Sequence, residues 1–204
     1  MVKVKRETAE TKISLELELD GSGNYRIDTG IAFFDHMLEL WSKHGFFDLN
    51  LEAEGDLEVD AHHTVEDTGI VLGRALKKAL GSRKGLKRYG QVILPMDEVL
   101  MLTVVDIGGR FYYQDDLDFK TQTVGGFPVE LAGEFFRSLA AEAAMNLHFK
   151  ELRTGNSHHL LEACFKSCAR ALDKALMPEE RLQEDVLSTK GSLGGDEVFN
   201  DSGN

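Results

Sequence analysis

Two cysteines, three prolines and no apolar run long enough to cross a bilayer mark this 204-residue sequence by what it has little of. Cys164 and Cys168 stand four apart on one predicted helix, which leaves no disulfide framework and suits reduced core thiols. Without a stretch of about 18 apolar residues no transmembrane helix is expected. The opening MVKVKRETAETK is charged where a secretory signal would be apolar, so a cytoplasmic location is expected. Pro, Gly and Ser nowhere gather into a linker that would separate independent domains. Basic residues are also short, 23 against 35 acidic for a net charge of −12. That balance argues against a nucleic-acid partner, and an anionic substrate would need Lys and Arg gathered locally. At 42% hydrophobic residues the chain can still bury a sizeable core.

What is present is a repeat. His62-His63-Thr64-Val65-Glu66 and His158-His159-Leu160-Leu161-Glu162 each open an apolar stretch of helical period. Over residues 62–80 and 158–176, nine of nineteen positions are identical, Arg74 and Arg170 among them. The chain reads as an internal duplication with a metal-ligand cluster at the start of the same helix in each half. On a helix, residues three and four apart share a face, so each Glu can stand beside a His of its own motif. Adjacent residues lie roughly 100° apart around the axis. A neighbouring His pair is therefore poorly placed to grip one ion, and each His is expected to serve a different one.

The same order of elements is predicted twice. Strands at 2–8, 11–19 and 24–28 precede a helix at 31–43, a strand at 46–54 and the first HHxxE helix, with Asp60 as its expected N-cap. Strands near 86–94, 98–106 and 110–119 precede a helix at 128–142, a strand at 144–150 and the second HHxxE helix, capped by Asn156 or Ser157. His44-Gly45 is expected to close the first helix. The fold class is α+β, with residues 1–82 and 83–193 as two repeat halves whose helices bury against each other between outer sheets. Residues 194–204 form an acidic tail, expected to be mobile.

Longer stretches match a known family. TGIAFFDHML (29–38), KHGFFDLNLEAEGDLEVDAHHTVEDTGIVLG (43–73), KRYG (87–90), PMDE (95–98), SHHLLEACFK (157–166) and STKGSL (188–193) stand in the order and spacing of imidazoleglycerol-phosphate dehydratases, enzymes of histidine biosynthesis, which the chain resembles over nearly its whole length. The resemblance implies a duplicated fold of the ribosomal protein S5 domain 2-like kind, with helices between two outer four-stranded sheets. It implies two Mn(II) ions per active site, sites shared between subunits, and a homo-oligomer of twenty-four chains. It assigns metal ligands to His36, His62, His63, Glu66, His158, His159 and Glu162. The eighth falls on Glu134, where many relatives carry His in a VEHFF-like stretch and this chain reads AGEFF. Leu40, where many relatives carry Gln, is a second departure. Substrate and phosphate contacts fall on Glu10, Arg88, Arg110, Lys166, Ser188, Thr189 and Lys190, and acid/base roles on Glu10, Glu66 and Glu162. Asp97 and Glu98 in PMDE read as supporting residues.

The reaction so implied removes water from imidazole glycerol phosphate through an imidazolate and a diazafulvene-like intermediate. Imidazole with carboxylate donors suits Mn, Fe, Co, Ni or Zn. The alternatives are a di-metal phosphohydrolase, a di-iron carboxylate storage or redox protein, and a non-catalytic module with metals as glue between subunits. Di-iron bundles carry Glu-x-x-His pairs, the reverse of the order here, and extra Glu ligands.

Overall fold

Alternating apolar and polar residues make strands that are buried on one face, and the computed structural model, which describes residues 1–183 and 185–193, bears this out. In β2 (Thr11–Glu18), Ile13, Leu15 and Leu17 are buried and the residues between them face outward. β2 pairs antiparallel with β1 (Val2–Glu7) and β4 (Asp48–Gly55), and β3 (Tyr25–Asp28) lies parallel to β4, giving the order β1-β2-β4-β3. The second half builds the same sheet from β5 (Tyr89–Met96), β6 (Val99–Asp106), β7 (Tyr112–Gln114) and β10 (Asn146–Arg153), in the equivalent order β5-β6-β10-β7. Each half also carries two helices: α1 (Ala32–Gly45) and α2 (His62–Leu80), then α3 (Glu130–Ala143) and α4 (Ser157–Leu176).

The halves exchange their helix partners. α1 packs on α4 and α2 on α3, so one hydrophobic core runs through both repeats. Phe34 of α1, Phe135 of α3 and Phe165 of α4 meet at its centre; Phe34–Phe135 is edge-to-face and Phe135–Phe165 stacked, both at 5.3 Å between centroids. α2 can approach α3 closely because Gly69 and Gly73 are bare. A Cβ at either would come 2.6 Å from the carbonyl oxygen of Phe135 or Leu139. The contacts His36–Glu162 and His44–Arg170 run in step along α1 and α4, so those helices are parallel. Gly69 with Phe135 and Gly73 with Leu139 show the same for α2 and α3. β3 ends beside the end of β4, so α1 and α2 also start together. All four helix N-termini therefore lie at one end of the molecule.

Several boundaries differ from expectation. β7 stops at Gln114; beyond it the acidic run 115–118 follows β10 through single bonds at Asp116 instead of a continuous ladder. An unanticipated two-stranded hairpin, β8 (Thr123–Val124) and β9 (Phe127–Pro128), turns on Gly125 and Gly126, both at positive φ. β5 starts at Tyr89 because Arg88 is left-handed at φ 70°. Gly45 remains inside α1, where a Cβ would strike the Phe47 ring at 2.2 Å, and Phe46 takes the left-handed capping conformation. The N-cap of α2 is Ala61, though the Asp60 carboxylate still accepts the His62 N–H at 2.7 Å. Asn156 caps α4 as expected. The acidic tail 194–204 lies outside the described residues.

Candidate metal centre

The HHxxE motifs place two His side by side in the first turn of α2 and again in α4. The two rings of each pair stand at 87°, with centroids 6.1 Å apart for His62–His63 and 6.2 Å for His158–His159. The pairs diverge as the helical screw requires, and neither can close on a single ion.

In the second pair, His158 faces the adjoining helix α1. His158 Nε2 lies 3.1 Å and His36 Nε2 3.4 Å from Glu162 Oε1, and the three residues offer ligand atoms within 4.8 Å of one another. The other Glu162 oxygen accepts from Lys166 Nζ at 2.6 Å. Burial would raise the Glu162 carboxyl, but hydrogen bonds from Lys166 and His158 outweigh it and leave the pKa lowered, so the group is held as carboxylate. Phe33 meets the His158 ring edge-on at 5.4 Å. In α2, His62 Nε2 is 3.6 Å from Glu66.

The other member of each pair faces a loop. His63 Nδ1 is 3.1 Å from both oxygens of Asp56, which raises the imidazole pKa, and its Nε2 is 3.9 Å from Glu10. His159 Nδ1 is 3.0 Å from Glu98, and its Nε2 is 3.7 Å from Asp97. Asp97, Glu98 and His159 form the second group with ligand atoms within 4.8 Å. The Asn156 N–H, the Glu98 N–H and His159 hold the Glu98 carboxyl down at about 2. Imidazole nitrogens beside carboxylates are a fitting donor set for a divalent transition metal.

Glu134 stands on α3, which flanks α2 as α1 flanks α4. Its carboxylate pairs with Arg137 at 3.9 Å, and among the described residues it joins neither three-residue group. The basic candidates divide. Arg88 is locked by Asp106 at 2.7 and 3.0 Å and donates to the Leu187 carbonyl at 2.6 Å, drawing the Ser188-Thr189-Lys190 segment to the start of β5. Arg110 is exposed in the β6–β7 connection at that same end. Lys166 alone sits at the His end. The eight residues of β5 separate Arg88 from Asp97 and Glu98, about 26 Å at 3.3 Å per residue.

Two features escaped the sequence reading. Asp56 gave no periodic signal, since it lies in an irregular loop seven residues before His63. The tie between Lys166 and Glu162 was legible only as i, i+4 spacing on one helix face.

The imidazoleglycerol-phosphate dehydratase family model matches residues 29–172. An imidazoleglycerol-phosphate dehydratase of Acetivibrio thermocellus is 52% identical over 93% of this chain and 97% of its own. One from Thermoanaerobacter sp. (strain X514) is 54% identical over the same shares. Among solved structures, the Staphylococcus aureus enzyme has a TM-score of 0.77 at 38% identity, covering 87% of this chain and 100% of its own. The Pyrococcus furiosus enzyme, in complex with (S)-C348, has 0.80 at 36%, covering 93% and 100%. With a matched segment that spans both His pairs and relatives that align along nearly their full length, this chain belongs to the imidazoleglycerol-phosphate dehydratase family.

Proposed function

We propose that the chain removes water from imidazole glycerol phosphate, giving imidazole acetol phosphate in histidine biosynthesis, at a centre of two Mn(II) ions completed by a second copy of the chain. The observation that carries the reading is the doubled, perpendicular His pair with its carboxylates at the N-terminal end of the helices. The ligand set is His36, His62, His63, Glu66, Glu134, His158, His159 and Glu162. Held by these residues, the metals would supply Lewis acidity toward the imidazole ring of the substrate.

The residues divide the remaining work. Glu162, fixed by Lys166 and two His, acts as a ligand and not as a proton carrier. Glu66, 41% exposed beside His62, is a ligand open to solvent. Glu10, more than half exposed and near the Nε2 of His63, is free to accept and return the side-chain proton. Arg88, Arg110, Ser188, Thr189 and Lys190 bind the phosphate. The substrate cannot span the distance from these residues to the His pairs of one chain. That separation supports sites shared between subunits, and the family resemblance suggests a large homo-oligomer of twenty-four chains. The described residues include no helix long and apolar enough to cross a membrane, and we place the enzyme in the cytoplasm.

The test is NMR of imidazole glycerol phosphate incubated with protein and Mn(II). Imidazole acetol phosphate without free phosphate is expected. Inorganic phosphate as the product would identify a phosphohydrolase instead.

A further inference from the structure

The two repeats solve one problem with different residues. A histidine that gives one ring nitrogen to a metal is held in orientation and tautomer by an acceptor at the other nitrogen. At His63 and His159 that other nitrogen is Nδ1, and each is met by a carboxylate at about 3 Å. Duplication would place the two carboxylates at equivalent positions, but they are not equivalent. Asp56 directly follows β4, and the residue that directly follows β10 is the exposed Thr154, which carries no carboxylate. Glu98 instead comes from the β5–β6 turn, directly before β6. The residue directly before β2 in the first repeat is Glu10.

Glu10 and Glu98 thus share a place in the fold and differ in what they do. Glu98 is engaged twice, accepting from the Asn156 N–H at 2.6 Å and facing His159 Nδ1. Gly155 leaves room for it, since a Cβ there would fall 2.4 Å from Glu98 Cγ. Glu10 has no such engagement. Its backbone carbonyl accepts the Asp56 N–H at 3.1 Å, while its carboxylate stands 3.9 Å from His63 Nε2. Thr11 Oγ1 donates to the buried Asp67 of α2, which anchors the same turn. Asp56 therefore holds the ring of His63 with its side chain and the turn of Glu10 with its backbone.

We infer that Asp56 and Glu98 are positioning residues that fix His63 and His159 through Nδ1 and turn Nε2 toward the metal, and that Asp56, by taking this role in the first repeat, leaves the Glu10 carboxylate free for substrate. The inference rests on the reading of His63 and His159 as metal ligands. It makes the repeats inequivalent in the segment that supplies the orienting carboxylate: the loop after β4 in the first, the turn before β6 in the second.

The experiment compares Mn(II) dissociation constants, by EPR of free Mn(II), for the assembled wild type and for Asp56→Asn, Asp56→Ala, Glu98→Gln and His63→Ala. Removal of a carboxylate that orients a ligand weakens metal binding about 10- to 100-fold. Asp56→Ala and Glu98→Gln should fall in that range. Asp56→Asn, which keeps an acceptor of the same shape without the charge, should lie between Asp56→Ala and wild type. Should Asp56→Ala fail to fold, Asp56→Asn and Glu98→Gln decide. Wild-type Mn(II) affinity in these variants, with His63→Ala impaired, would overturn the positioning role alone. Wild-type affinity in His63→Ala would overturn the metal-centre reading beneath it.

Discussion

His36 and Glu162 are 126 positions apart in the chain, yet His36 Nε2 stands 3.4 Å from Glu162 Oε1, and the contact crosses from one repeat to the other. Because Glu162 also binds Lys166, its loss should be felt without any metal present. Glu162→Ala strands a mostly buried ammonium, a change that costs about 2–4 kcal/mol. Lys166→Met in the same chain should recover much of it. Urea denaturation of metal-free protein reads both. A Glu162→Ala stability within about 0.5 kcal/mol of wild type would show that the pair contributes little.

Glu134 is the ligand position where this chain differs from many relatives. α3 lies along α2 in parallel, as α1 lies along α4, which sets Glu134 as the counterpart of His36. Glu134→Ala should lower manganese occupancy at one of two sites and reduce turnover strongly. Glu134→His should keep the metal, and Glu134→Gln should fall between. Two tightly held equivalents with normal turnover in Glu134→Ala would make it a spectator.

Metal and assembly should be coupled, because donors and phosphate contacts lie at opposite ends of one chain. Dialysis against chelator is expected to abolish activity and shrink the particle in light scattering, and Mn(II) should restore both. A metal-free particle of unchanged size would count against shared sites.

Arg110 and Lys190 are exposed and stand apart from every metal candidate. Arg110→Ala and Lys190→Ala should each raise KM about 10- to 100-fold, the loss of a charge-assisted contact of about 1.5–3 kcal/mol, with full metal content. Manganese lost from either variant would show the assignment to be wrong.

Two glycines should respond in opposite directions. A Cβ at Gly90 would lie 1.8 Å from the Ala171 carbonyl oxygen, so Gly90→Ala must push β5 off α4 and destabilise by about 3 kcal/mol. At Gly133, within α3, the nearest atom is 3.6 Å away, and Gly133→Ala should stabilise by about 0.5–1 kcal/mol. Thermal and urea unfolding of the two variants side by side checks the contrast.

What could be read from the sequence follows from how local each signal is. The HHxxE repeat and the alternation in residues 11–18 are periodic, and they disclosed the helices, the sheet and the duplication. The ends of β5 and β7 depend on a left-handed Arg88 and on partners in β10, neither of which leaves a pattern. Gly45 was misread because a glycine near a helix end more often marks a left-handed stop than a place where an aromatic ring presses on the backbone. Asp56 reaches His63 through the path of a loop, and Lys166 shows its link to Glu162 only as spacing. The separation of Arg88 from the His pairs needed the direction of β5, which composition does not carry.

The common direction of the four helices has an electrical consequence. In an antiparallel bundle neighbouring helix dipoles offset one another, but here all four N-termini share one end. Each carries roughly half a positive charge, so the unopposed sum approaches about two elementary charges, concentrated in the first turns. Glu10, Asp56, Glu66, Asp97, Glu98 and Glu162 gather at that end. Their negative charge balances the peptide groups as well as any bound cation, and a copy of this fold stripped of them would present a bare anion-attracting face.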